Sequence, residues 1–279
     1  MNTVLFSAII AAASVCAGFL GSLTGLGGGF LVTPVLTLLL GVDIRYAIGA
    51  SLISIIATSS GAAAAYVKEG FTNLRVGMLL EIATTTGALV GASLVTVLPT
   101  RVITVVFGLV LVQSAYLSSR QLVDHDTAGA PADRLATRLR LDSSFPTAGG
   151  ERRYRVRNVP GGFGLMGLAG LLSGLLGIGS GAVKVLAMDQ VMRMPFKVST
   201  ATSNFMIGVT AAASAGIYLR HGYVDPGLAM PVVLGVLAGS MMGARLLFGT
   251  PTRRLRLLFA VVVAAIGLQM VYHGVAGGR

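Results

Sequence analysis

The chain is poor in charged residues, contains no tryptophan and has a single cysteine. Charged side chains make up 11% of its 279 residues, and none precedes Asp43. A soluble protein of this length needs far more polar surface, whereas helices that face lipid need almost none. Since hydrophobic residues reach 54% and the mean hydropathy is +0.83, we predict an all-α integral membrane protein. The lone Cys16 excludes an intrachain disulfide and is interpreted as a packing residue.

Sequence signatures of catalysis are also missing. The chain has no His-Glu-x-x-His, Gly-x-Ser-x-Gly or Gly-x-x-x-x-Gly-Lys-Ser/Thr motif, so metal-dependent hydrolysis, acyl transfer and ATP hydrolysis lack their usual residues. None of His125, His221 and His273 has a metal-ligand partner at motif spacing. We therefore predict neither an enzyme nor a bound cofactor or metal.

Seven arginines of the chain's 21 basic residues lie in one polar stretch between residues 121 and 159. Basic residues beside membrane spans mark the cytoplasmic side, so we predict a cytoplasmic linker and no nucleic-acid partner. Its alternating stretches at 138–141 and 153–157 indicate a small β-hairpin with its turn between Asp142 and Gly150. A disordered tether is the alternative.

The chain contains the same apolar module twice. Residues 18–113 align without a gap on residues 170–265. The matched positions include Gly25–Gly29 on Gly177–Gly181, Ser51 on Ser203, Gly87 on Gly239, and Pro99-Thr100-Arg101 on Pro251-Thr252-Arg253. A duplicated membrane module with a glycine-rich break at matching places is typical of secondary transporters.

Each module divides into five apolar segments. We predict a first membrane repeat over residues 1–120, the linker over 121–159 and a second repeat over 160–279, with the first segment a retained helix rather than a cleaved signal peptide. The second segment of each repeat, 30–41 or 182–192, forms a helix of only about 17 Å. Because this is too short for a hydrocarbon core of about 30 Å, we predict paired half-helices that follow the glycine breaks.

The positions of the basic residues favour inverted repeats. With five crossings per repeat and the linker inside, most basic loop residues are cytoplasmic, whereas a parallel four-crossing arrangement places Arg193, Lys197 and Arg253 outside. We therefore predict two inverted five-segment repeats, about ten helical segments in all, with both termini periplasmic.

The two glycine breaks are candidate substrate-binding elements. A helix N-terminus presents unpaired N–H groups to an anion, and Lys184 adds a full positive charge after the second break. The candidates are Gly27, Gly28 and Gly29 in the first break, and Gly179, Ser180, Gly181 and Lys184 in the second. The alternatives are close helix packing at the glycines and a Lys184 side chain that extends to the lipid headgroups.

A polar stripe follows each predicted half-helix. Ser51, Ser203 and Asn204 can donate hydrogen bonds to an anion, and Thr58 and Thr210 are weaker candidates. Interhelical hydrogen bonding is the alternative for all of these side chains.

Glu81 is a candidate proton carrier. It is the deepest acidic residue within an apolar segment, where an ionisable group is costly and usually faces a cavity or a partner.

At these motifs the chain resembles the TauE/SafE family of sulfite and organosulfonate exporters. The resemblance lies in Gly25–Gly29 with Pro34, in Gly177–Gly181 with Lys184, in Pro195–Thr210 and in Gly222–Pro226. Ser180 departs from the family, which usually has a third glycine there. The resemblance implies a secondary transporter that exports small sulfur-containing anions across the bacterial inner membrane by alternating access. A passive anion channel and a membrane scaffold are the alternatives, and the oligomeric state is not predicted.

The predicted topology can be tested by cysteine labelling. In a Cys16→Ser background, a cysteine at Glu69 is expected to lie inside and a cysteine at His221 outside, because an odd number of crossings separates them. A membrane-impermeant maleimide applied to intact cells should therefore label only the His221 position. Labelling of both positions, or of Glu69 alone, would contradict the inverted arrangement.

Overall fold

A computed structural model describes residues 3–22, 28–119, 133–147, 150–179, 181–247 and 252–276. These residues are mostly helical. In chain order the elements are α1 (Thr3–Ser22), a 3-10 turn (Gly28–Leu31), α2 (Val32–Leu40), α3 (Ile44–Lys68), α4 (Leu74–Leu94), α5 (Thr100–Ser119), α6 (Arg134–Arg138), β1 (Ser143–Thr147), β2 (Gly150–Tyr154), α7 (Val159–Leu176), α8 (Gly181–Leu186), a π-helical turn (Ala187–Val191), α9 (Phe196–Arg220), α10 (Pro226–Leu247) and α11 (Thr252–Val275).

Local sequence explains where several of these helices begin and end. Asn73 is the N-cap of α4, and its side-chain oxygen accepts a hydrogen bond from the Val76 amide at 3.1 Å. Gly41 follows α2 with φ 64°, and its amide donates to the Leu36 carbonyl. A left-handed residue ends a helix in this way, and glycine takes that conformation without strain.

The surface of the helices is apolar, as lipid contact requires. In the described part of the chain, Leu74–Leu94 and Val159–Leu176 are long and apolar enough to cross a membrane by length and composition alone. Large apolar side chains point outward elsewhere too, including Leu109 on α5, Leu234 on α10 and Leu268 on α11. Water would strongly disfavour this much exposed apolar surface.

The main helix pairs each join one half of the chain to the other. Helix α1 packs on α10, α4 on α7, α3 on α9 and α5 on α11. A Cβ at Gly87 would lie 2.1 Å from the Gly167 carbonyl oxygen, and a Cβ at Gly239 would lie 2.1 Å from that of Val15. Gly87 aligns with Gly239, and Val15 precedes Gly167 by the same 152 residues, so the two halves make corresponding contacts.

The linker folds against the membrane helices. Asn73 donates from Nδ2 to the Leu141 carbonyl at 2.9 Å and to the Tyr154 hydroxyl at 2.8 Å. Burial raises the pKa of Tyr154 to about 12, so the phenol stays neutral at physiological pH. A methionine-rich apolar cluster continues from the linker into the helices; it includes Phe145, Met166, Met188, Met192, Met194 and Met206.

The hairpin exists, but its strands differ from the predicted ones and share only Arg153 and Tyr154 with them. The antiparallel ladder pairs Ser143 with Tyr154 and Thr147 with Gly150, whereas residues 138–141 end a short helix and a turn. Asp133 caps that helix by accepting a hydrogen bond from the Leu135 amide at 2.9 Å, and Leu141 is buried in the cluster. Tertiary packing thus overrode the local alternation, and the linker adds a small sheet to an otherwise helical protein.

The linker lies at one end of the helical assembly. Arg75 at the start of α4 donates to the Arg140 carbonyl at 3.0 Å, and the Arg157 amide donates to the Met192 carbonyl at 3.1 Å. The linker, the start of α4 and the end of the π-helical turn therefore share one face.

The glycine contacts predict a specific sensitivity to side-chain size. A Cβ at Gly170 on α7 would lie 2.1 Å from the Thr84 carbonyl oxygen, whereas a Cβ at Gly164 on the same helix meets nothing within 4 Å. We expect Gly170→Ala to destabilise the protein by about 1–3 kcal/mol through overpacking. Gly164→Ala should be neutral or stabilising by about 0.5–1 kcal/mol. Thermal unfolding in detergent measures both, and equal effects would contradict the packing.

Candidate functional site

The second glycine break connects α7 to α8 in the chain and packs in space between α3 and α9. Gly177 has φ 62° and ends α7 by donating its amide to the Ser173 carbonyl at 2.8 Å. Gly179 has φ 69°. A Cβ at Gly177 would lie 2.5 Å from Cγ2 of Ile48, and a Cβ at Gly179 would lie 3.0 Å from Cγ2 of Ile207. Both the backbone conformation and the space therefore favour glycine at these positions.

Two of the predicted serines anchor this break. The Ser51 hydroxyl on α3 donates to the Gly177 carbonyl at 3.0 Å, and the Ser203 hydroxyl on α9 donates to the Gly181 carbonyl at 3.3 Å. Both serines are buried. The fold thus brings Ser51, Gly179, Gly181 and Ser203 together, with Ser51 coming from the other half of the chain.

Asn204 has a different local role in the structure. Its Nδ2 donates to the Thr200 carbonyl at 3.0 Å within α9. A side-chain bond to the preceding turn leaves the amide oriented along its own helix. Asn204 is a neighbour of Ser203 in the chain, but this contact does not link it to the glycine break.

The first break is described only in part. Gly28 and Gly29 begin the 3-10 turn that leads into α2, and this turn packs against α1 and α3. Gly27, like Ser180 of the second break, lies outside the described residues.

Lys184 is a fully buried charge. Its side chain is 0% exposed, and Nζ donates to Oγ1 of Thr210 on α9 at 2.6 Å. The ammonium therefore does not extend to a lipid headgroup. A buried charge is stable only with a compensating partner.

That partner comes from the other half of the chain. Oε1 of Glu81 on α4 lies 2.8 Å from the Thr210 hydroxyl and accepts a second hydrogen bond, from Thr85, at 2.9 Å. Lys184 and Glu81 are thus two hydrogen bonds apart and joined through Thr210. The sequence indicated each residue separately but not the cluster, although two opposite charges inside apolar segments were a signal for pairing.

Glu81 has one oxygen that lacks a partner. Oε2 is buried and has no hydrogen-bond partner among the described residues. Those residues also contain no group of three or more His, Cys, Asp or Glu side chains that could hold a metal ion.

A family model named sulfite exporter TauE/SafE matches residues 10–270. The chain belongs to the TauE/SafE family. This is a family of membrane transporters rather than enzymes, and the chain is accordingly a multi-pass membrane protein with a small-molecule substrate.

Related transporters align with this protein over nearly its whole length. A "Probable membrane transporter protein YunE" of Bacillus subtilis is 28% identical over 96% of this chain and 98% of its own length. A "Probable membrane transporter protein" of Xylella fastidiosa is 26% identical over 92% of this chain and 91% of its own. A relative from Methanocaldococcus jannaschii is 25% identical over 91% of each chain. No solved structure matches.

The backbone of the second break predicts a graded cost of added side chains. Gly177 and Gly222 both have positive φ, but a Cβ at Gly222 meets nothing within 4 Å. We expect Gly222→Ala to cost only the conformational strain, about 1–2 kcal/mol. Gly177→Ala should cost about 1–3 kcal/mol more, because the new methyl also contacts Ile48. Thermal unfolding of the two variants gives the comparison, and equal losses would contradict a tightly packed break.

Proposed function

We propose that this protein is a secondary transporter that exports small sulfur-containing anions, such as sulfite or organosulfonates, by alternating access. The observation that carries the proposal is the buried ammonium of Lys184 beside the second glycine break. An intramembrane charge of this kind usually marks a substrate or ion path, and a positive charge selects for an anion.

The proposed substrate site combines this charge with the two breaks and their hydroxyl neighbours. Serine and threonine hydroxyls can donate hydrogen bonds to an anion without adding a buried charge. The proposed set is Gly27, Gly28, Gly29, Ser51, Gly179, Ser180, Gly181, Lys184, Ser203 and Asn204. Ser51 reaches the second break across the boundary between the halves, which supports a site at the repeat interface.

We propose that the halves are inverted repeats whose glycine-broken half-helices meet at this site. The supporting observation is the correspondence of contacts: Gly87 meets Gly167 as Gly239 meets Val15. Helix pairs α3–α9 and α5–α11 each join equivalent elements, as a twofold axis requires. We place this axis in the membrane plane because Arg193, Lys197 and Arg253 then lie on the same side of the membrane as the basic linker.

The location and the substrate class have separate support. The shared face of the linker, Arg75 and Arg157 fits a cytoplasmic side in the bacterial inner membrane, with both termini outside. The name of the family refers to sulfite export, which supports a sulfur-containing anion as the substrate. Glu81 is proposed as the proton-coupling carboxylate.

The decisive experiment removes the Lys184 charge. Lys184→Met keeps the aliphatic stem, and we expect anion affinity to fall roughly ten- to a hundredfold, since a charge-assisted hydrogen bond is lost. Thermal-shift titration of the purified protein with sulfite, thiosulfate, sulfoacetate, taurine and methanesulfonate measures the affinity. Lys197→Met, at an exposed position of α9, is the matched control and should bind as the wild type does.

A second variant separates binding from folding. Lys184→Met leaves the Glu81 carboxylate without its opposing charge, so Lys184→Met with Glu81→Gln removes both. A folded double variant that binds the anions as the wild type does would refute the proposed site. Flux in liposomes distinguishes the rival function, because a passive channel conducts the anion without saturation or proton coupling.

A further inference from the structure

We infer that Lys184, Thr210 and Glu81 form one exchange unit. The Glu81 carboxylate compensates the Lys184 charge until a proton neutralises the carboxylate, and a substrate anion then replaces the carboxylate as the partner of Lys184. This rests on the proposed function and extends it. Proton and anion would then be bound in the same state of the transporter and would cross the membrane in the same direction.

The Thr210 hydroxyl has a single proton to donate. Oγ1 accepts a hydrogen bond from Lys184 at 2.6 Å, and it lies within bonding distance of two acceptors. These are Oε1 of Glu81 at 2.8 Å and the Met206 carbonyl at 2.9 Å. The hydroxyl can donate to only one of them at a time. An ionised Glu81 is the stronger acceptor, whereas a protonated Glu81 leaves the Met206 carbonyl as the better one.

The two oxygens of the Glu81 carboxylate differ in their hydrogen-bond partners. Oε1 of Glu81 has two hydroxyl neighbours, Thr85 and Thr210, while the buried Oε2 has no partner among the described residues. A charged oxygen without a donor is more costly in a dry environment than a neutral one. A proton therefore has a place to bind on Oε2 without displacing either hydroxyl.

The helices that pack on α4 carry few ionisable side chains. Helix α4 packs on α7 and α9, and α7 carries no ionisable side chain. On α9, Lys197 and Arg220 lie near opposite ends and are exposed, and the Tyr218 hydroxyl donates to the Leu175 carbonyl. Arg75 on α4 is exposed and bonded to the linker.

Asp189 follows Lys184 along the same segment and is hydrogen-bonded by Gln190. Glu81 is the acidic side chain that shares Thr210 with Lys184. Its protonation therefore decides whether this cluster is neutral or carries one positive charge.

The cluster occurs once in the duplicated sequence. Lys184 aligns with Val32, and Glu81 aligns with Val233. The related position in the other half therefore carries neither charge, and a single exchange unit predicts at most one proton for each bound anion.

The consequence is a reciprocal linkage. If a proton on Glu81 raises anion affinity, a bound anion must raise proton affinity by the same factor. Acidification should then increase anion affinity by roughly 5- to 150-fold. A monovalent anion that moves with one proton carries no net charge, so the pH gradient would influence its transport and the membrane potential would not.

Calorimetry of the full-length protein in detergent tests this linkage. Thiosulfate and methanesulfonate are the probes, since both keep a fixed charge from mildly acidic to neutral pH. Titration in buffers of different ionisation heat counts the protons taken up with each anion. The wild type should take up protons with the anion, at most one per anion and most of all at an intermediate pH, whereas Glu81→Gln should bind tightly at every pH with no proton uptake.

Variants of Thr210 test the positioning role of the hydroxyl. Thr210→Val should reduce the proton uptake, and Thr210→Ser should restore it. Thr104→Val is the matched control, because Thr104 is a buried threonine that donates only to its own helix.

The outcomes separate this inference from the proposed function. Anion binding by the wild type without proton uptake, or with uptake that persists in Glu81→Gln, overturns the exchange unit and leaves the anion site standing. If the wild type binds neither anion, the proposed function fails and the exchange unit fails with it. The proton count in the wild type decides the question even if Glu81→Gln does not fold.

Discussion

Direct backbone contact at glycines sets the spacing of the helices on which the rest of the structure depends. A Cβ at Gly91 would lie 2.0 Å from the Leu171 carbonyl oxygen, and a Cβ at Gly174 would lie 2.0 Å from that of Ala88. Helices in lipid gain no hydrophobic driving force from pairing, so close van der Waals contact must hold them together. The α4–α7 pair is therefore fixed in register, and this register places Glu81 opposite Thr210 on α9.

The buried charges depend on that register. Lys184 is 0% exposed, and its route to a compensating carboxylate passes through one hydroxyl. Removing one partner of such a cluster leaves an uncompensated charge, which is far more costly than removing both. A shift of α4 along α7 would separate Glu81 from Thr210, so the packing of apolar helices controls the electrostatics of the site.

The linker is tied to the same region. The backbone amide of Asn73 donates to the hydroxyl of Thr202, next to Ser203, at 3.0 Å. The side chain of Asn73 donates hydrogen bonds to the Leu141 carbonyl and the Tyr154 hydroxyl. One residue at the start of α4 thus connects the hairpin, α4 and α9. The methionine-rich cluster around this connection can repack easily, since methionine side chains are flexible. The linker is therefore bonded directly to the helices that it joins.

The duplication, the apolar segments and the family motifs could be read from the sequence, because glycine breaks, hydropathy and basic loops are local signals. Ser51, Ser203 and Lys184 could be selected as candidates in the same way, as polar groups in apolar surroundings. The predicted first strand at 138–141 was wrong, because a short helix ends there and Leu141 is buried, and the strand at 150–154 was predicted only at Arg153 and Tyr154. Only the tertiary structure joined Glu81 to Lys184 through Thr210. Two charges in different halves carry no sequence signal of their distance, which is set by the packing of α4 on α7 and α9.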